Sequence, residues 1–171
     1  MSTSTFSDLS IDLTKNIDTQ IKKDNGIYFT PAEIVNNTLS LIYPFIKNIK
    51  TVLEPSCGSC EYILGLDSKY KGLDITGIEL NKQIFSSIEH ISELRNIKLY
   101  NSDFMTHKFD NMFDLIIGNP PYFVIKNKNE IDASYKKYFT GRANMFILFI
   151  IKSLKLLNEN GILSFVLPRS F

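Results

Sequence analysis

The chain has 171 residues, 44% of them hydrophobic and 22% charged, the make-up of one ordinary globular domain with a sizeable core. Its formal net charge of +1 sets up no global field toward nucleic acid or a membrane, so a polyanion would have to be met by a local basic patch. The first 25 residues are Ser, Thr, Asp and Lys broken by single apolar residues; with no continuous apolar run they exclude a signal peptide or membrane span there, and residues 1–25 read as the polar tail of an intracellular, cytoplasmic protein.

Thr30-Pro31-Ala32-Glu33 has the form of a capping box with Pro at the first helical position, and it predicts a helix running to about Tyr43. TVLEP then reads as a short buried strand. A brief helix from about Glu61 leads to DITGIEL, a second strand, and NKQIFSSIEHISEL predicts an amphipathic helix with Ile84, Ile88 and Ile91 on one face. IKLYNSD is a third strand, and FDLIIGN, an apolar run bounded by Gly-Asn-Pro-Pro, is a buried fourth. ANMFILFIIKSLKLLNENG predicts a helix that Gly161 terminates, and ILSFVLP a fifth strand. This alternation implies an α/β, doubly wound, Rossmann-like parallel sheet with right-handed crossovers. Such a sheet binds its ligand outside the carboxyl ends of the strands, near the point where strand order reverses.

The loops at those ends carry the candidate chemistry. Cys57 and Cys60 stand in LEPSCGSC with the C-x-x-C spacing of a zinc or redox site. Zinc would need two further ligands, and His90 and His107 lack the short spacing of a zinc finger, so no metal is expected. Gly58, between small residues after a strand, instead lets the chain turn sharply and bring backbone N–H groups toward a ligand. Glu54 at the strand tip would repel a phosphate and suits a cationic group such as an amine. Glu79, at the tip of the second strand, stands near the spacing at which an acid binds ribose hydroxyls. For both acids a solvated strand end is the alternative. Asp103 can accept from an exocyclic adenine amine while Phe104 stacks on the base; the alternative is a turn Asp beside a core Phe. Together these describe a pocket for an adenosine with a positively charged, amine-containing tail, which fits S-adenosyl-L-methionine better than a dinucleotide.

In IIGNPPYF two consecutive prolines donate no backbone hydrogen bonds and hold Asn119 and Pro120 extended, with carbonyl oxygens turned outward. An amino group conjugated to an aromatic ring is a poor nucleophile, because its lone pair is delocalised. Accepting its two hydrogens through the Asn119 side chain and the Pro120 carbonyl returns electron density to nitrogen, and Tyr122 offers a face on which the base can stack. A plain strand end is the alternative reading of Asn-Pro-Pro.

From about Gly26 to Phe171 the chain resembles the gamma group of N6-adenine DNA methyltransferases, in which the cofactor motif precedes a catalytic Asn-Pro-Pro-Tyr. The match is carried by YFTP (Tyr28 to Pro31), LEPSCGS (Leu53 to Ser59), GIEL (Gly77 to Leu80), DF (Asp103, Phe104), GNPPY (Gly118 to Tyr122), GRANMF (Gly141 to Phe146) and GILSFVLP (Gly161 to Pro168). The resemblance implies that Thr30, Glu54 and the backbone of Pro55, Ser56, Cys57 and Gly58 hold the methionine part of S-adenosyl-L-methionine. It implies Glu79 on the ribose, Asp103, Phe104 and Pro121 on the adenine, and Asn119, Pro120 and Tyr122 at the reacting base. Thr30 has two competing uses, this one and its helix cap. The implied reaction is methyl transfer to the N6 of an adenine flipped out of double-stranded DNA. The segment from Tyr122 to Arg142 carries Lys126, Lys128, Lys136, Lys137 and Arg142 against Glu130 and Asp132 and reads as a phosphate-contacting loop, to which GRANMF adds Asn144.

Two departures stand out. The family has Gly where Cys60 stands, which raises the question of whether the thiol crowds the methionine tail. The family also continues the sheet and adds a target-recognition domain, so residues 26–171 are expected to be an incomplete catalytic domain. Its fifth strand would be an apolar edge, and specificity would come from a C-terminal recognition domain or a separate specificity chain. Two rivals remain at this point: a protein-glutamine or RNA N-methyltransferase, and a non-catalytic module that binds cofactor or partner.

Overall fold

The computed structural model describes residues 6–94, 96–127, 131–139 and 141–167, with Asp24 described in its backbone alone. Its centre is a five-stranded sheet in the order β3-β2-β1-β4-β5: β1 Thr51–Glu54, β2 Asp74–Glu79, β3 Ile97–Asn101, β4 Phe113–Gly118 and β5 Leu157–Phe165. Every neighbouring pair is parallel. From β1 the chain winds outward through β2 and β3, then returns to place β4 on the other side of β1. The order therefore reverses between β1 and β4, and the tips of those strands, Glu54 and Gly118, open onto the ligand crevice of such a sheet.

Helices cover both faces. They are α1 Asp8–Asn16, α2 Thr19–Asn25, α3 Ala32–Ile42, α4 Glu61–Lys69, α5 Lys82–Ile88, α6 Ala133–Lys136 and α7 Met145–Leu156. Successive strand residues point to opposite faces, and both faces are apolar because both are covered. Val52, Leu115 and Ile117 pack with Leu39, Ile63 and Leu66 on one side, while Leu53, Ile78 and Ile116 pack with Phe104 and Phe149 on the other. Among the described residues no helix is long and apolar enough to cross a membrane.

Three local expectations are corrected. Residues 8–25, read from composition as a polar tail, form α1 and α2. Ser7 and Asp18 cap their N-termini, Gly26 closes α2 in the left-handed region at φ 61°, and Leu13 and Ile17 pack against Ile84 of α5. The capping box at Thr30 does not form. Pro31, whose ring has no acceptor, is the N-cap of α3 and makes no side-chain cap bond, while the Thr30 hydroxyl accepts from Asn119 at 3.3 Å. The long helix ends at Leu156, not at Gly161. Asn158 is drawn out to donate to Asp114 of β4 at 2.7 Å, Asn160 takes the left-handed conformation at φ 64°, and β5 is irregular before it settles beside Leu115 to Gly118. A tertiary hydrogen bond has here overridden helix propensity.

Candidate functional site

The loop after β1 is folded back on its own strand neighbours. Cys57 donates its N–H to the Ile78 carbonyl at 2.8 Å and accepts from the Cys60 N–H at 2.7 Å. The Cys57 backbone donor, expected to face a ligand, is thus committed to the sheet. Gly58 needs its freedom, since φ is 51°, and its N–H donates to Glu79 Oε2 at 2.9 Å. Cys60 takes φ 62° at the start of α4, a conformation that favours glycine, and its side chain is wholly buried in the core. The thiol does not line the cavity described below, so it does not crowd it. Both cysteines are free thiols, and the hydrogen bond with Cys60, followed by burial, pushes the Cys57 thiol well above its ordinary range. That environment suppresses the thiolate on which redox chemistry depends.

Glu54 is 3% exposed, and its Oε2 is buried without a hydrogen-bond partner. Burial, reinforced by Cys60, Glu61 and Glu79, holds its carboxyl well above the usual range. A buried acceptor left orphaned at a strand tip is an unfilled half of a polar pair. It borders a niche of about 20 Å³ shared with Thr30, Cys57, Gly58 and Asn119. The niche adjoins a cavity of about 380 Å³, within the range of small-molecule sites, lined by Pro55, Ser56, Gly58, Glu79, Asp103, Phe104, Asn119 and Pro121 among others.

Glu79 is buried and raised by that burial, against the pull of backbone donors at Asn81, Gly58 and Leu80: Oε1 accepts from Asn81 at 2.7 Å and Oε2 from Gly58 at 2.9 Å. Those bonds orient the carboxylate at the edge of the cavity, where it can still accept from a hydroxyl. Asp103 lies in a turn just after β3, its Oδ1 accepting from Met105 N–H at 2.8 Å. Phe104 differs from expectation. Only 2% exposed, its ring packs on Phe149 at 4.8 Å between centroids, so the ring is committed to the core rather than open for stacking.

At the tip of β4, Asn119 is held by four partners. Its Nδ2 donates to the Tyr28 carbonyl at 3.2 Å and to Thr30 Oγ1, and its backbone carbonyl, expected to face outward, accepts from the Ser56 hydroxyl at 3.1 Å. The Tyr122 hydroxyl lies between two acceptors, Asn119 Oδ1 and the Val166 carbonyl, and its single proton serves one at a time. Burial pushes that phenol up to about 12, so it acts as a donor and not as a base. Pro120 is buried and lines neither cavity.

Sequence reasoning missed two contributors at this point. Tyr28 is 60% exposed, and its ring lies 6.4 Å from that of Tyr122. Gly26 passes so close to the Asn-Pro-Pro-Tyr segment that an added Cβ would fall 2.8 Å from the Tyr122 nitrogen. The signal for Gly26 was present as Asn25-Gly26, a helix stop. Tyr28 was marked only as the first residue of YFTP, with no role attached to its ring.

Of the four residues read as DNA contacts, Lys126 and Arg142 are exposed, and Lys128 lies outside the described residues. Asn144 is half-buried, and its Oδ1 caps α7 by accepting from Phe146 N–H at 3.3 Å. Lys126 borders a second, more open cleft of about 1090 Å³ that meets the first at Asp103, Phe123 and Met145.

Comparison with known proteins finds the model of the Eco57I restriction-modification methylase family matching residues 66–171. The type II methyltransferase M.AccI of Acinetobacter calcoaceticus is 32% identical over 167 residues, which cover 94% of this chain and 31% of that protein. The type II methyltransferase M.CvrRI of Paramecium bursaria Chlorella virus XZ-6E is 34% identical over 166 residues, covering 96% of this chain and 42% of that protein. The chain therefore spans less than half the length of these curated relatives. Among solved structures, a Listeria monocytogenes protein assigned to the class I S-adenosylmethionine-dependent methyltransferases aligns with a TM-score of 0.71 at 19% identity, over 95% of this chain and 51% of that one. At that identity the likeness is one of fold.

Proposed function

This chain belongs to the Eco57I restriction-modification methylase family, and we propose that it is the catalytic part of a site-specific DNA methyltransferase that methylates the N6 of adenine using S-adenosylmethionine. The observation that carries the reading is the pairing of an orphaned buried carboxylate, Glu54, at the tip of β1 with the Asn119-Pro-Pro-Tyr122 segment across the point where strand order reverses.

Glu54 fits the cofactor's charge. Its unpartnered oxygen matches the ammonium of a methionine tail, Glu79 suits the ribose hydroxyls, and Asp103 with Pro121 borders the space for the adenine. When bound, the cofactor supplies an electrophilic methyl group on a sulfonium. The chain's own residues supply position and polarity. Asn119 Oδ1 accepts a hydrogen bond from one N–H of the target amine, and the Tyr122 hydroxyl turns to donate to the Val166 carbonyl, leaving that lone pair free. The Pro120 carbonyl, buried and outside both cavities in the free protein, accepts a hydrogen bond from the second N–H once the base is seated, and after transfer the methylated nitrogen releases one proton to water. No covalent enzyme intermediate is needed, so rate comes from alignment, for which effective molarities of about 10⁵ to 10⁸ M are the known scale. The flipped adenine stacks beside Tyr122 and the exposed ring of Tyr28.

Lys126, Lys128 and Arg142 contact DNA phosphates in this reading, and sequence specificity comes from a recognition domain or specificity chain outside residues 1–171. The test is Asn119→Ala, assayed with the rest of the enzyme supplied. Cofactor affinity by calorimetry should stay near wild type, while transfer of labelled methyl to duplex DNA disappears. Equal loss of both would sink the assignment, and N4-methylcytosine as the wild-type product would overturn the adenine reading alone.

A further inference from the structure

The segment that follows β3 is wound into one isolated turn, and its polar groups are satisfied from two sides. Asp103 gathers the donors: its carbonyl accepts from Thr106 N–H at 3.1 Å and His107 N–H at 2.8 Å, and its carboxylate accepts from Met105 N–H. The carbonyls turn the other way, toward α7. There the Lys152 ammonium donates to the Phe104 carbonyl, to Met105 at 3.1 Å and to His107 at 2.8 Å. Three acceptors match the three N–H donors of a lysine, so the half-buried charge is fully paired. Its Nζ also lies 4.9 Å from the centroid of the Phe104 ring and 5.6 Å from that of Phe109. Phe149, one turn earlier on the same face of α7, packs on Phe104. Helix α7 thus grips the turn by backbone and by ring, and the face left toward the cavity is the one that carries Asp103.

We propose that Lys152 is a positioning residue for the purine end of the cofactor: by clamping the Asp103–His107 turn it sets where the Asp103 carboxylate stands, and so the enzyme's selectivity for a purine bearing a 6-amino group. This rests on the reading of Asp103 as the acceptor of that amine. Lys152 touches neither cofactor nor substrate. Its removal acts through the turn.

The test compares binding of S-adenosylhomocysteine with that of its analogue carrying hydrogen in place of the 6-amino group. One hydrogen bond to a carboxylate gives the wild type about a tenfold preference for the amine or more. Lys152→Met should bring that ratio near unity while affinity for duplex DNA is kept. Lys152→Arg, which keeps the charge but cannot bring one nitrogen to three carbonyls, should fall between, and it carries the test if the Met variant is too unstable to purify. A variant that melts at lower temperature yet keeps the wild-type ratio shows a merely structural lysine and overturns the proposal. Asp103→Ala separates the two layers. An unchanged ratio in Asp103→Ala refutes the adenine site itself and the proposal with it; a ratio lost there but kept in Lys152→Met refutes the role of Lys152 alone.

Discussion

Replacing Glu54 with Gln should change stability and cofactor binding in opposite directions. In the free protein Glu54 is nearly inaccessible, one oxygen has no partner, and burial holds its carboxyl well above the usual range. Such a group contributes stability that is fully present below its unfolded pKa and is lost as pH rises through the folded one. Each pH unit in that window removes about 1.4 kcal/mol from the wild type, which for a chain of this size is roughly 3–5 °C in Tm. Gln is isosteric and has no charge to desolvate, so Glu54→Gln should melt no lower than wild type at pH 4 and progressively higher toward neutrality. Binding should go the other way. Loss of a charge-assisted hydrogen bond to the cofactor's ammonium weakens binding by about 2 kcal/mol, roughly thirtyfold in Kd. Wild-type affinity should also strengthen with pH as the carboxyl ionises, whereas the variant's should lack that dependence. Melting scans and calorimetry between pH 4 and 8 read both quantities. A variant that is less stable than wild type at neutral pH, or that binds the cofactor equally well, would refute this account of Glu54.

Two further substitutions probe the backbone around the site. Cys60→Gly should be more stable than Cys60→Ala by about 1 kcal/mol in urea denaturation, since both lose the buried thiol but only Ala keeps a Cβ at φ 62°; an Ala variant at least as stable would mean the left-handed conformation carries no strain. Gly26→Ala should cost roughly 2–3 kcal/mol, combining φ 61° with a Cβ placed 2.8 Å from the Tyr122 nitrogen. It should lower kcat for methyl transfer more than it weakens cofactor binding, and a wild-type melting temperature would contradict the close approach.

Much of the site was legible because strand tips are local features. Apolar runs end where Glu54, Glu79 and Asn119 begin, so placing the strands placed these residues as well. Helix α1 was legible in principle, since Leu9, Leu13 and Ile17 recur every four residues, but its polar surroundings hid that spacing from a reading by composition. The end of α7 was not legible, because Asn158 leaves the helix for Asp114, a residue far away in the chain. For Thr30 the competition was legible but not its outcome, since only the packed strands bring Asn119 beside its hydroxyl.

The sequence by itself determined the alternation of strands and helices, the residue types at each strand tip, and the two prolines that stiffen the segment after β4. Those are consequences of periodicity and of single-residue chemistry. Only the tertiary structure decided the strand order that sets Glu54 beside Asn119, the burial that orphans Glu54 Oε2, the withdrawal of the Phe104 ring into the core, and the convergence of three carbonyls on Lys152. Desolvation and hydrogen-bond competition depend on which distant groups arrive at the same place, and that is settled only when the layers pack.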